Sequence, residues 1–249
     1  MKDNSQNILN SLDYDERSFI GKGENYLVHK VEGFDKLYSK IHEHNFSEVF
    51  FLLSGDVTYL IEEGTIHLKP YDCLFIPPHT LHQIIVNDKN TNYQRIVLWI
   101  YPKFLDEIST SLTNLNEQLW KYTGEGYYLV RDLEFSFNFK KILEEIFFLQ
   151  NNKPYGYDLL IRNKISEMFV SISRYLSEYG SLSETKASNT TVGEVIKYID
   201  QNLEKELKIA DLAKIVNLDQ FYLSHLFTKE TGVTIHQFII KKRLTKAKK

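Results

Sequence analysis

The sequence predicts an α+β multidomain chain: an N-terminal β-barrel with a helical hairpin, followed by an all-α helix-turn-helix. Three observations predict it. Short runs rich in β-branched and aromatic residues fill residues 26–101. The hydrophobic spacing changes to steps of three and four after Pro102. A polar stretch then sets off a basic C-terminal segment. The expected divisions are residues 1–112 for the barrel, 113–180 for the hairpin, 181–190 for a linker and 191–249 for the helix-turn-helix module.

Within the barrel, "FDKLYSKI", "EVFFLLSG", "VTYLIEEG", "TIHLK", "CLFIP", "HQIIVN" and "YQRIVLWIY" read as strands. Gly, Pro, Asp and Asn punctuate them at short intervals, as in barrels and sandwiches. Gly64 marks a hairpin turn between two of them. Beyond Pro102, Phe135–Gln150 and Asp158–Tyr179 read as helices, separated by "NNKPYGY" and therefore antiparallel. In the second, Ile161, Ile165, Met168, Phe169, Ile172, Tyr175, Leu176 and Tyr179 fall at steps of three and four. The first carries more apolar surface (Phe135, Phe137, Phe139, Ile142, Ile146, Phe147, Phe148) than one face needs. That surplus points to a homodimer built on the hairpin, against the simpler reading that both helices only cover the barrel.

"SLSETKASNT", Ser181 to Thr190, has no periodicity and reads as a flexible linker. After it, Thr191 and Glu194 match a capping box, in which hydroxyl and carboxylate satisfy orphan backbone N–H groups. "DLAKIV" is a short helix, Asp219 an N-cap, and "QFYLSHLFTKE" a second helix ended by Gly232. Leu223, Leu226 and Phe227 share the core stripe of that second helix. Gln220, Phe221, Ser224, His225 and Thr228 face away from it, a polar and aromatic surface suited to the floor of a DNA major groove. A further capping box, Thr234 with Gln237, opens another helix that runs into "KKRLTKAKK". There Lys241, Lys242 and Arg243 lead six basic residues in nine, a pattern suited to phosphates or to simple solvation.

Charge supports the division. The chain's net charge is −3, but residues 191–249 hold 11 Lys and Arg against 7 Asp and Glu, leaving 19 against 26 for residues 1–190. One cysteine, Cys73, excludes an intramolecular disulfide and suits a reducing cytoplasm. The polar N-terminus has no apolar signal core, and no apolar run approaches the roughly 20 residues that span a bilayer, so no membrane partner is expected.

The N-terminal chemistry centres on "KIHEHNFSEVFFLLSG", Lys40 to Gly55. Residues two apart on a strand share a face, so His42 and His44 point the same way. Glu48 and, after "PPHTL", His82 can join them. Neutral imidazoles and a carboxylate are the donors that Zn, Fe, Mn, Ni or Cu accept. The competing reading is a polar pocket whose histidines bind a ligand or one another and hold no metal. His79 is a weaker substitute for His82, and His29 and His67 lack partners at useful spacing. Tyr38 and Trp99, with Phe50 and Tyr59, offer rings for stacking on a small ligand, although barrels fill themselves with such side chains.

Two resemblances follow. Val195–Lys249 resembles the DNA-binding domain of AraC/XylS transcription regulators in its "DLA" helix, its "YLSHLF…ETG" helix and its "KKRL…A" start of a connecting helix. The resemblance implies that Phe221, Ser224 and His225 fall at base-contacting positions. That family joins two helix-turn-helix units through the connecting helix. Lys249 lies inside it, so one unit is expected here and operator binding should be weak. His42, His44, Glu48 and Gly55 match the spacing of the first cupin motif, and His82 stands at the histidine of the second. Lys36, Tyr71 and Val86 stand where cupins carry Gly, Gly and Asn. The resemblances imply a cytoplasmic, ligand-responsive regulator, not an enzyme, that senses a small-molecule effector such as a sugar. It would need no cofactor, with a divalent metal in the pocket as the one candidate. The alternative is a metal-dependent cupin enzyme, an isomerase or dioxygenase.

Overall fold

The protein is described by a computed structural model covering residues 25–33, 41–61, 64–88, 92–120, 127–179 and 191–246. "FDKLYSKI", apart from its final isoleucine, and the 181–190 linker lie outside the described residues.

Eight strands form the barrel: β1 (Tyr26–Glu32), β2 (Ser47–Ser54), β3 (Val57–Ile61), β4 (Gly64–Leu68), β5 (Cys73–Ile76), β6 (His82–Val86), β7 (Gln94–Ile100) and β8 (Tyr128–Val130). They make two antiparallel sheets, ordered β1-β7-β2-β5-β8 and β4-β3-β6. Ile61 pairs with Gly64, so β3 and β4 form a hairpin around residues 62–63. Gly55 sits at φ +114°, and a Cβ there would lie 3.0 Å from the Tyr93 ring, so the turn after β2 needs glycine.

Alternation along β2 sorts the layers. Phe50 and Leu52 turn into the barrel with Tyr59, Leu74, Val97 and Trp99. Val49 and Phe51 turn outward and join Phe75, Ile96 and Leu98 against the helices. Those helices are α1 (Pro102–Ile108), α2 (Leu115–Trp120), α3 (Leu133–Asn152) and α4 (Tyr157–Tyr179). Asp132 caps α3 by accepting from the Phe135 N–H at 2.8 Å, and Lys153 ends it in the left-handed region. Phe139, Ile142, Leu143 and Ile146 of α3 and Ile161, Ile165, Phe169 and Ile172 of α4 complete this core. Phe137 and Phe148 on α3 and Leu159 and Leu160 on α4 remain exposed.

The C-terminal module has α5 (Thr191–Gln201), α6 (Ile209–Ile215), α7 (Gln220–Thr231) and α8 (Ile235–Lys246). Val192, Val195, Ile196 and Ile199 form the buried stripe of α5 and meet Leu212, Leu223, Phe227 and Phe238. Asp219 caps α7 through the N–H groups of Phe221 and Tyr222, and Gly232 ends it at φ +69°. Thr234 and Gln237 exchange the two bonds of the capping box at the start of α8.

This module does not stand apart. Ile41, Leu60 and Leu81 of the barrel belong to its apolar cluster. The Ile41 N–H donates to the Thr231 carbonyl at 3.2 Å, and Lys241 Nζ donates to the Ile41 carbonyl at 3.0 Å. The barrel is thus faced by the hairpin on one sheet and by the helix-turn-helix beside the other. None of the described helices is long and apolar enough to cross a membrane.

Candidate functional site

The first segment of the site is residues 41–46, which lead into β2. His42 and His82 exchange both backbone hydrogen bonds, N–H to carbonyl at 3.0 Å each way. That bridge pins the strand-like segment to the start of β6. Ile41 and Leu81 face out from it, and His42, His44 and His82 face in. All three imidazoles are buried, and their ligand nitrogens lie within 4.8 Å of one another.

Two of these rings have their orientation set by the backbone. His44 Nδ1 lies 2.7 Å from the Phe46 carbonyl, and His82 Nδ1 lies 2.9 Å from the Thr80 carbonyl. A carbonyl can only accept, so each Nδ1 carries the hydrogen and, in the neutral ring, each Nε2 presents its lone pair. Neither Nε2 has a hydrogen-bond partner within the protein. The His44 ring also stacks on Phe46 at 3.9 Å between centroids. Burial, helped by neighbouring His42, pushes the His82 imidazole down to about 3, so it is neutral near pH 7.

Glu48 lies beside the triad rather than within it. Its Oε1 accepts from the Tyr59 hydroxyl and its Oε2 from the Trp99 indole N–H, each at 2.9 Å. Oε2 is 3.6 Å from His44 Nε2 and 4.0 Å from His82 Nε2, beyond hydrogen-bonding length. Burial alone would raise this carboxyl; in acid, positive charge on the His44 and His82 rings together with the Arg95 guanidinium outweighs it and holds the carboxyl well below the usual carboxylate range. The Tyr59 and Trp99 donors favour the same anionic form. Burial, and the Glu48 charge after it, keep the Tyr59 hydroxyl protonated.

A buried carboxylate therefore sits 3.6 Å from His44 Nε2 and 4.0 Å from His82 Nε2, two ring nitrogens with no hydrogen-bond partner in the protein. Such a cluster offers a cation its ligands. The donor set fits a first-row transition ion, with His42, His44 and His82 as ligands and Glu48 as a fourth ligand or as the neighbouring counter-charge. When bound, an ion would supply Lewis acidity or a coordination position for an effector. The chain's own contribution is to fix two rings through backbone carbonyls and the carboxylate through Tyr59 and Trp99.

The other expected residues fall as follows. Trp99 is a donor to Glu48, and His29 packs against its ring at 4.3 Å. Tyr38 lies outside the described residues. His79 faces Glu43 at 3.8 Å on a turn with φ +63°, away from the triad, and His67 faces Asp56 at 3.6 Å near the surface. Tyr59, expected as a stacking ring, is a hydrogen-bond donor to Glu48, and Arg95 is a neighbour of that carboxylate that the sequence did not single out.

On α7, Gln220, Phe221, His225 and Thr228 are exposed, Phe221 at 76%, and Ser224 is half-buried. Ser224 and Thr228 donate their hydroxyls to the Gln220 and Ser224 carbonyls, each at 2.8 Å. Tyr222, 55% exposed, widens the surface beyond the five residues expected. The basic residues of α8 are engaged by their own chain. Lys241 holds the Ile41 carbonyl, Lys242 pairs with Asp200 at 2.7 Å, and Arg243 donates to the carbonyls of Leu203 and Lys205.

Comparison with known proteins matches residues 35–101 to the cupin domain and residues 199–239 to the bacterial regulatory helix-turn-helix proteins of the AraC family. The chain is 24% identical over 220 residues to the probable transcriptional regulator LumQ of Photobacterium leiognathi, covering 88% of this chain and 79% of LumQ. It is also 24% identical over 242 residues to the uncharacterized HTH-type transcriptional regulator YfiF of Bacillus subtilis, covering 91% and 71%. Among solved structures, apo ToxT from Vibrio cholerae aligns over 89% of this chain and 81% of its own, with a TM-score of 0.45 and 11% identity. The chain thus carries a match to the AraC-family helix-turn-helix behind a match to the cupin domain, and relatives named as transcriptional regulators align over most of its length.

Proposed function

We propose that this chain is a cytoplasmic, ligand-responsive regulator whose barrel senses a small effector through the His42, His44 and His82 cluster and whose α7 reads DNA. The observation that carries this is the convergence of buried imidazole lone pairs and an anionic Glu48 next to the residues that hold the helix-turn-helix. The sensed species is a divalent transition ion, or a small polar metabolite such as a sugar whose hydroxyls take the same donors. The exposed Phe221, Tyr222 and His225 contact base edges and methyl groups. Exposed Phe137, Phe148, Leu159 and Leu160 on the hairpin support a homodimer.

A cupin isomerase or dioxygenase would use the same donors. It would leave the helix-turn-helix docked on the barrel without a role, so the regulator reading is preferred and no catalytic residue is assigned.

The test is selection of bound duplexes from a random pool by the whole chain, with and without added zinc, followed by anisotropy on the enriched sequence. Phe221→Ala and His225→Ala should each weaken binding by about 1–3 kcal/mol if they are base contacts. Failure to enrich any sequence in either condition would sink the proposal.

A further inference from the structure

The residues that face into the site and the residues that hold the helix-turn-helix alternate along the same two short segments. Ile41 precedes His42, and Leu81 precedes His82. Ile41 is fully buried in the apolar cluster of the C-terminal module, with Leu81 and Leu60. Its N–H is bound by the last carbonyl of α7, at Thr231, and its carbonyl by Lys241 of α8. One residue later, His42 is bridged by two backbone hydrogen bonds to His82 and turns its ring into the triad. Two residues beyond, His44 is fixed by the Phe46 carbonyl.

We propose that residues 41–44 form a shared strap, so that filling the histidine triad and docking the helix-turn-helix stabilise one another. The inference rests on the sensing role given to the triad above and names its means of regulation. The argument is one of linkage. The arrangement with the module docked is also the arrangement with the three imidazoles gathered and two of their Nε2 lone pairs unpartnered. An ion that needs all three rings binds that arrangement best and therefore holds the module down. Undocking removes both main-chain partners of Ile41 and its apolar cover, which frees His42 to move and weakens the ion's site by the same factor. The recognition surface of α7 faces solvent in the docked state, so docking fixes the orientation of α7 on the barrel and leaves its reading residues uncovered.

The test uses the whole chain with cobalt(II), whose visible absorption reports nitrogen coordination, alongside amide exchange at Ile41 and across α7 and α8. Cobalt should slow exchange of the Ile41 amide and of α8 by about fivefold or more. Lys241→Met, which removes a clamp outside the triad, should weaken cobalt binding by a similar factor while the barrel's own exchange pattern is kept. His44→Ala should abolish the cobalt spectrum and speed exchange at Ile41. If the wild type binds cobalt but exchange at Ile41 and α8 is unchanged, and Lys241→Met binds cobalt as tightly, the strap is wrong and the sensing site stands. If the wild type shows no cobalt spectrum and no change in exchange, the metal form of the sensing site fails and the strap fails with it.

Discussion

The barrel has two covered outer faces, and they are built differently. Against the hairpin, Val28, Val49, Phe51, Cys73, Phe75, Ile96, Leu98 and Ile100 lock into α3 and α4 in a continuous apolar core. Against the helix-turn-helix, Ile41, Leu60 and Leu81 do the work, helped by two hydrogen bonds to Ile41. A fully buried side chain of this size contributes about 1.5–3 kcal/mol. The first face therefore has the larger apolar contribution from the barrel. The second is the smaller, as the proposed linkage between docking and the histidine triad requires.

Four measurements break or sharpen this contrast. Phe75 packs edge-on against Phe139 at 5.5 Å, so Phe75→Ala should cost about 3–5 kcal/mol in urea denaturation and unfold barrel and hairpin together. Acid acts inside the barrel. An unfolded histidine takes up its proton below about 6.5, whereas folded His82 does so only near 3, so the unfolded state binds more protons in between and stability falls as pH falls. Glu48, depressed in the fold, adds loss of the same sign below about 4.3. Together they should remove roughly 3 kcal/mol between pH 6 and pH 4, and His82→Gln should flatten that slope. Leu60→Ala should cost only about 1–2 kcal/mol, because the module can lift away instead of keeping a cavity, and its mark should be faster amide exchange in α5 and α8. Gln83, paired across from Leu60, buries its Oε1 without a hydrogen-bond partner in the protein. Gln83→Met should therefore tighten docking by about 1 kcal/mol, read as slower exchange at Ile41.

The same contrast explains what could be read in advance. Period-two alternation placed His42 and His44 on one side, and side-chain chemistry found the Asp219 cap and the Thr234–Gln237 box, because each depends on neighbours in sequence. The short helices α1 and α2 and the three-residue strand β8 are too brief to carry a period, and β8 exists by virtue of its pairing with β5. Docking of the module was hidden because Ile41 looks like any apolar residue beside a polar one. Trp99 suggested a stacking platform, and only the fold shows its indole N–H turned to Glu48. The run "KKRL" suggested phosphate contacts, and nothing in its own spacing reveals Asp200 or the Leu203 and Lys205 carbonyls some 40 residues earlier.

That last pairing has a consequence for how the protein would meet DNA. Cations that neutralise phosphates release condensed counterions, each adding about 0.9 to the slope of log affinity against log salt. Lys242 and Arg243 are already spent on Asp200 and on backbone carbonyls, and Lys246 on Glu204. These contacts hold the three side chains against their own module, so binding should depend on salt less than a tail of six basic residues suggests. Lys241 differs from them in reaching across to the barrel, where its Nζ donates to the Ile41 carbonyl, so lifting the module off the barrel breaks that contact. A steeper salt slope in the undocked protein would show that the contact between Lys241 and the barrel withholds charge from the DNA.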